Sequence, residues 1–409
     1  MNANDVVILG AARTPTGKMS GALMSKTAPQ LGAIAVATAV SRANIDPNTV
    51  YEVLMGQVVQ AGAGQAPARQ AALGAGLPNT VGAAAINKVC GSGLKAVMMA
   101  ANGIIAGEAD VFVAGGMESM SYAPYFLPGA RQGLRYGHVE MKDSVLHDGL
   151  WCAFQQWPMG NSAEFIAKQF GVTREEMDEF ALRSHEKAAE ATVHGRFADE
   201  IVPIEIKSRK SSYTVSVDEP IRATFSNGGY ELGTNLAQLA KLPPAFEKDG
   251  RVTAGNAPGL NDGAAALVVT SRAEAERQGL KPLARIVGYT LAAVEPLWLF
   301  DAPAHAMPKL LKRIGWTLDD VDLIELNEAF AAQALANGAR LTKEGYNWNW
   351  DKVNVNGGAI ALGHPIGASG ARVLVTLLYA LQQRGLRRGL ASLCLGGGEA
   401  VAMAIELEG

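Results

Sequence analysis

Two stretches of this chain read like two others far downstream. Asp46-Pro47-Asn48-Thr49-Val50-Tyr51-Glu52-Val53-Leu54 resembles Leu318-Asp319-Asp320-Val321-Asp322-Leu323-Ile324-Glu325-Leu326, a polar turn feeding an apolar strand in both. Val111-Phe112-Val113-Ala114-Gly115-Gly116 echoes Ser392-Leu393-Cys394-Leu395-Gly396-Gly397. Val50 lies 271 positions before Val321, and Phe112 lies 281 before Leu393, so the two spacings nearly agree. Chance likeness between short strands is the competing reading. If the repeat holds, the chain is two related halves, and a site at their junction is expected.

The rest of the pattern fits layered α/β structure. Short apolar runs at 5–10, 51–55, 82–88, 110–115, 264–270, 323–326 and 391–395 read as strands buried on both faces. Longer helical patterns separate them, which favours parallel β/α layering. Segment 91–107 is apolar nearly all round and ends at Gly107, the signature of a buried helix. Segment 369–384 looks similar, with Ser369 as its expected cap. Residues 122–248 differ, being richer in aromatic, charged and turn residues. Thr173-Arg174-Glu175-Glu176 is a capping box whose helix runs to about His194 and stops at Gly195. This stretch reads as an inserted domain covering the site. It leaves 1–121 plus 249–271 as one half and 272–409 as the other.

A length of 409 residues accommodates such a duplication. The net charge of −3 gives no broad basic face for nucleic acid. Three widely spaced cysteines argue for a reducing compartment and against a disulfide framework. No signal peptide is visible before Val6-Val7-Ile8-Leu9-Gly10, and no run of 18 apolar residues predicts a membrane span. The cytoplasm is the expected location.

Three short segments look chemical. Cys90, in Asn87-Lys88-Val89-Cys90-Gly91-Ser92-Gly93, sits where a strand gives way to a helix. The positive end of that helix favours a thiolate, the nucleophilic form. A buried core thiol is the plainer reading, but Gly91 and Gly93 cost helix stability and would open space for a substrate. His364, between Gly363 and Pro365, can take a proton from a thiol near neutral pH. Cys394 ends an apolar strand before Gly396, Gly397 and Gly398, whose N–H groups could form a nest for an oxyanion. As a base it suits a weakly acidic proton beside a thioester. Asn327-Glu328-Ala329-Phe330 adds a neutral amide donor. A metal held by Cys90, His364 and Cys394 competes, but no Cys-x-x-Cys pair supports it. His138, His147, His185, His194 and His305 read as surface or loop residues, and Cys152 as structural. Gly62-Ala63-Gly64-Gln65-Ala66-Pro67 lacks the Lys-Ser/Thr ending of a phosphate loop and reads as a turn into a helix near Ala68. Lys207, Arg209 and Lys210 read as a solvated patch.

With these segments in hand, the chain resembles the thiolase family over nearly its whole length. The resemblance rests on Asn87 to Gly93, Ala114 to Met120, Gly255-Asn256-Ala257, Leu260 to Ala265, Asn327 to Phe330, Asn356-Gly357-Gly358, Gly363 to Gly367 and Cys394 to Gly398, in that order. The subgroup it looks most like is the acetyl-CoA acetyltransferases. The resemblance implies a duplicated thiolase fold, a five-layer αβαβα core with an inserted loop domain for CoA binding and oligomer contacts. It implies that Cys90 is acylated by an acyl-CoA with His364 as its base, and that Cys394 then deprotonates the α-carbon of a second acyl-CoA. Asn327, through a water, would join His364 in one oxyanion hole; the N–H groups of Cys90 and Gly396 would form the other. CoA contacts would fall to Arg222, Phe246, Ala254, Leu150 and Met159, with Phe330 lining the pocket. Coenzyme A is then substrate and product, with no separate cofactor or metal. A homodimer or homotetramer is expected.

The chain departs from the family's pattern in several places. Pro258 stands where a serine usually contacts the pantetheine arm, and proline offers neither N–H nor hydroxyl. Pro158 stands where the biosynthetic subgroup often has histidine, and Leu299-Phe300-Asp301-Ala302-Pro303 replaces a Met-Gly-containing pocket segment. Extra residues lie within 223–236 and near Tyr346 to Trp350. Acetoacetyl-CoA chemistry is the leading expectation. A longer-chain 3-ketoacyl-CoA thiolase of fatty-acid β-oxidation is the alternative, which a chain-length series of substrates separates. A non-catalytic thiolase-fold scaffold is a third, opposed by the presence of all four catalytic residue types.

Overall fold

The computed structural model describes residues 5–207, 211–226 and 228–408. Nine strands build the central sheet: β1 (Val6–Arg13), β2 (Glu52–Gly56), β3 (Gly82–Ile86), β4 (Val111–Ser119), β5 (Asn261–Ser271), β6 (Ala284–Ala293), β7 (Leu323–Leu326), β8 (Arg388–Leu395) and β9 (Glu399–Leu407). They lie in the order β7-β8-β9-β6-β1-β5-β4-β2-β3, with a short strand Gly17–Lys18 paired to the start of β5.

That order is one arrangement used twice. In the first half β3 and β4 flank β2 in parallel, β5 runs antiparallel to β4, and β1 runs antiparallel to β5. In the second half Val353 (through one bridge) and β8 flank β7 in parallel, β9 runs antiparallel to β8, and β6 runs antiparallel to β9. Within the sheet, the two halves join where Val7 and Ile8 of β1 pair with Arg285 and Ala284 of β6. The segments that look alike in sequence fall on β2 and β7, and on β4 and β8, which hold equivalent places. All seven expected strands are present. β6 and β9 were not read from sequence. Gly288, Tyr289 and Thr290 blur β6, while β9 is half alanine and glutamate, so neither shows a run rich in branched residues.

Helices supply the other layers. α1 (Ala28–Ala43) and α2 (Pro67–Gly74) cover the outer face of the first half. α3 (Ser92–Ala106) and α8 (Ile366–Arg384, numbered after the helices introduced below) pack on each other between the halves. α6 (Ala302–Ile314), with α7 (Ala331–Lys343) beside it, covers the outer face of the second half. The result is α-β-α-β-α. α3 explains itself from sequence: Leu94, Val97, Met98 and Ile104 are all buried, each worth about 1.5–3 kcal/mol on removal from water. Val89–Ala106 is also long and apolar enough to cross a membrane by length and composition, but it is the central core helix here.

α8 corrects an expectation. It starts at Ile366 with Pro365 in the capping position, three residues before Ser369, whose side chain is used elsewhere. Its start is pressed against β4. A Cβ on Gly116 would lie 2.0 Å from the carbonyl oxygen of Gly367, so neither strand nor helix could hold this contact with a larger residue.

Between β4 and β5 the chain makes a long excursion. It contains α4 (Met159–Phe170), α5 (Arg174–Val193) and four two-stranded ribbons. The capping box at Thr173 forms with both hydrogen bonds, Thr173 Oγ1 accepting from Glu176 N and Glu176 Oε2 from Thr173 N. Arg13, fully buried at the end of β1, ties the excursion down. It donates to Glu200 at 2.6 Å and to both oxygens of Asp218 at 2.7 and 2.8 Å. Removing one partner of such a pair strands a buried charge, at a cost of ~3–5 kcal/mol. Lys207 is exposed and pairs with Glu205; Arg209 and Lys210 lie outside the described residues. The extra residues near 346–350 form an aromatic cap, Trp348 and Trp350 packing on Gly338 and Phe180, away from the active-site cavity.

Candidate active site

A cavity of about 290 Å³ opens where the two halves and the excursion converge. Cys90, His364, Cys394 and Gly396 line it, from three separate segments of the chain. Leu150, Met159, Phe246, Ala254 and Phe330 line it as well. So do Pro158, Pro258, Leu299 and Phe300, the positions where the chain departs from the family's pattern.

Cys90 sits on a strained elbow. Val89 adopts φ 46°, a left-handed conformation costly for a β-branched residue. Asn87 Oδ1 accepts from Val89 N, and Ser92 Oγ accepts from Lys88 N while donating to Val89 O, which together hold the turn. Gly91 and Gly93 do not make room for a substrate as expected. A Cβ on Gly91 would meet Leu395 at 2.4 Å, and one on Gly93 would meet Ala371 N at 2.7 Å. The two glycines admit the packing of the end of β8 and of α8. The residue is half-buried at the cavity, and desolvation pushes its thiol up to about 12. The N–H groups of Cys90 and Gly396 oppose this by facing the sulfur. The resting group is therefore a thiol that needs a base, rather than a standing thiolate.

His364 is built to be that base. Its N–H donates to Asn261 Oδ1 at 2.9 Å, fixing the loop. Nδ1 lies 2.6 Å from Ser369 Oγ, and Ser369 Oγ donates to Pro365 O at 2.9 Å. With the hydroxyl proton committed to that carbonyl, Ser369 can only accept, so Nδ1 carries the imidazole proton. Nε2 is left as a bare lone pair, buried and without a partner among the described residues. Burial, with the charge of Arg372 behind it, pulls His364 down to about 3, so the ring is neutral before a substrate arrives.

Cys394 is fully enclosed at the end of β8. Burial raises its thiol well above the ordinary cysteine range, and the nearby Cys90 raises it further. The backbone then turns through Gly397 and Gly398 at φ 91° and 90°; a Cβ on Gly398 would strike Val294 O at 2.6 Å. Asn327 does not line the cavity. It is fully buried next to it, and neither its Nδ2 nor its Oδ1 has a partner among the described residues. An amide so placed asks for a bridging water. Arg222 does not line the cavity either: it donates to Ala254 O at 2.5 Å, at the cavity's edge.

The wall around Phe330 is held by buried amides. Gln333 Oε1 accepts from Ala329 N, Gln333 donates to Asn337, and Asn337 donates to Phe300 O. Asp301 takes two hydrogen bonds from Arg340, at 2.7 and 2.6 Å. The rings of Phe300 and Phe330 meet edge to face at 5.4 Å, and those of Phe246 and Phe330 at 6.5 Å. Gln333 and Asn337 were not read from sequence, because their helical spacing of four resembles any polar stripe. His185 also departs from expectation. It is buried in α5, accepts from Arg222 N at 3.2 Å, and is held down to about 3 by burial and by Arg222 and Lys18. Cys152 is buried, as a structural residue would be. Among the described residues no cluster of three or more His, Cys, Asp or Glu is arranged to hold a metal ion.

This geometry can be set beside known proteins. The thiolase N-terminal domain matches residues 6–273, and the thiolase C-terminal domain matches residues 280–407. The chain belongs to the thiolase family. Within it, the acetyl-CoA acetyltransferase of Cupriavidus necator is 52% identical over 98% of this thiolase and 99% of its own length. The protein of that name from Pseudomonas aeruginosa is also 52% identical, over 98% and 99%. The crystal structure of the Bacillus anthracis acetyl-CoA acetyltransferase superposes with a TM-score of 0.93 at 46% identity, covering 99% of each chain. The acetyl-CoA acetyltransferase from Syntrophomonas wolfei superposes at 0.95 with 43% identity, over 99% of this thiolase and all of that one.

Proposed function

We propose that this thiolase is an acetyl-CoA C-acetyltransferase, joining two acetyl-CoA to give acetoacetyl-CoA and free CoA, reversibly. The observation that carries the reading is the convergence of two thiols and a histidine with a free Nε2 on one apolar cavity. Cys90 Sγ attacks the thioester carbonyl as its proton passes to His364 Nε2, and CoA leaves with a proton from Cys394. The Cys394 thiolate then takes a proton from the methyl carbon of a second acetyl-CoA. The new C–C bond forms, the bond to Cys90 Sγ breaks, and the proton on His364 Nε2 returns to that sulfur. The N–H groups of Cys90 and Gly396 hold the acyl oxygen, and Asn327, through a water, joins His364 at the other.

The apolar lining suits a thioester's pantetheine arm, with Leu150, Met159, Phe246 and Ala254 along it and Arg222 at the edge. Leu299 and Phe300 fill the place of the altered pocket segment and favour a short acyl group over the long chains of β-oxidation. Tyr125, Tyr136, Met141 and Phe154 are exposed apolar side chains on the excursion, a surface suited to a second copy in a homodimer or homotetramer. A cytoplasmic setting follows from the need to keep Cys90 and Cys394 reduced.

The test is mass spectrometry of the intact protein after brief exposure to acetyl-CoA, with peptide mapping. An acetyl group on Cys90 is expected. Labelling only by longer acyl-CoA would move the assignment to chain degradation, and no labelling by any acyl-CoA would leave a scaffold.

A further inference from the structure

Glu118 is a buried carboxylate at the end of β4 for which the scheme above has no use. Its Oε2 accepts from Gly367 N at 2.9 Å and Val58 N at 3.0 Å, and its Oε1 from Val59 N at 3.2 Å. Gly367 lies in the first turn of α8, three residues after His364, where Pro365 has no side chain to cap the helix. Val58 and Val59 pack in one small cluster with Ile366, against Cys90, and Val58 O accepts from Asn87 Nδ2 at 3.4 Å. One carboxylate therefore clasps the backbone that carries the base and the backbone that supports the nucleophile. The space is closed, since a Cβ on Gly367 would meet Glu118 Oε2 at 2.8 Å.

We infer that Glu118 is a positioning residue for acyl transfer, fixing the His364 loop relative to Cys90 through the N–H groups of Gly367, Val58 and Val59. The inference rests on the acyl-transfer reading of the site. Its negative charge also faces the Cys90 thiol and opposes the thiolate. Asp262, on β5, is a further ionisable group facing it. Burial outweighs the three N–H donors and holds Glu118 at about 7, so the charge is in place in assays above pH 8.

Placement and charge separate cleanly. In Glu118→Gln, one carboxylate oxygen becomes an NH2 that cannot accept, and the charge is gone. Rapid-quench measurement of Cys90 acetylation by acetyl-CoA should fall ~10- to 100-fold, as for a misplaced reacting pair. Alkylation of Cys90 by iodoacetamide at pH 8.5, which needs only the thiolate, should instead rise about threefold. Glu118→Asp keeps the charge but cannot reach all three donors. It should acetylate slowly with an unchanged alkylation profile, and it carries the test if Glu118→Gln does not fold. Wild-type acetylation rates in either variant, with the melting temperature preserved, overturn the inference. A fall of both reactions together shows a merely structural role and overturns it as well. Absence of acetyl-Cys90 in the wild type would sink the underlying reading instead.

Discussion

Ser369→Ala is the sharpest test of how the base is prepared. Two tautomers of His364 compete. With the proton on Nδ1, the ring donates to Ser369 Oγ and Ser369 donates to Pro365 O, giving two hydrogen bonds. With the proton on Nε2, Ser369 must turn its hydroxyl to Nδ1, the bond to Pro365 O is lost, and the N–H faces the cavity without a partner among the described residues. One net hydrogen bond is worth about 1 kcal/mol and an orphaned buried donor costs about 1–3 kcal/mol. The Nδ1–H tautomer is therefore favoured by about 2–4 kcal/mol, roughly 30- to 1000-fold. Ser369→Ala removes the acceptor and the relay together, so that preference collapses and the ring is free to turn. The rate of Cys90 acetylation should fall ~10- to 100-fold, while the affinity for acetyl-CoA, set by groups along the arm, should hold. The assay is single-turnover acetylation followed by mass spectrometry, with nitrogen-15 NMR of the imidazole to read the tautomer. Acetylation at the wild-type rate in Ser369→Ala, with a folded protein, would refute the reasoning.

Cys394→Ala should still accept an acetyl group on Cys90 but make no acetoacetyl-CoA; normal condensation would show that the second proton transfer runs elsewhere. Phe300→Ala removes the ring packed on Phe330 and should raise the rate on six-carbon relative to four-carbon 3-oxoacyl-CoA by ~10-fold, at ~3–5 kcal/mol of stability. An unchanged ratio would mean that Phe300 does not end the acyl pocket. Stability should be pH-dependent in opposing windows. His185 and His364, both held down to about 3, leave the unfolded chain binding more protons below pH 6.5, so each favours unfolding on acidification from 6.5 toward 3, by about 1.4 kcal/mol per pH step. Glu118 and Glu325, raised to about 7 and about 8, bind more protons when folded and act oppositely from pH 4.5 upward. Their terms offset the histidines between 4.5 and 6.5. Chemical denaturation of His185→Gln should therefore lose less stability than wild type between pH 4.5 and 3.5, and an equal loss would refute the assignment of a buried neutral His185.

Cys90, His364 and Cys394 stood out in the sequence because each sits beside glycines, which mark a close approach of chain segments. The repeat was legible because β2 and β7, and β4 and β8, share a turn-then-strand pattern that must close the same arrangement twice. The sequence misjudged why Gly91 and Gly93 are there. A missing Cβ marks a close approach, but only the fold shows that the neighbours are Leu395 and α8 rather than a substrate. It also misplaced Ser369 as a helix cap and read His185 as exposed, since burial of a polar side chain depends on what packs against it from other segments. The positions of Asn327 and Arg222 behind and beside the cavity, the Glu118 clasp and the Gln333–Asn337 relay belong to the tertiary structure alone. Local sequence determines which residues can start a helix, end a strand or carry a reactive group. Which tautomer a histidine holds, and which carboxylate meets which N–H, depends on partners tens to hundreds of positions away, brought together only when the two halves close on each other.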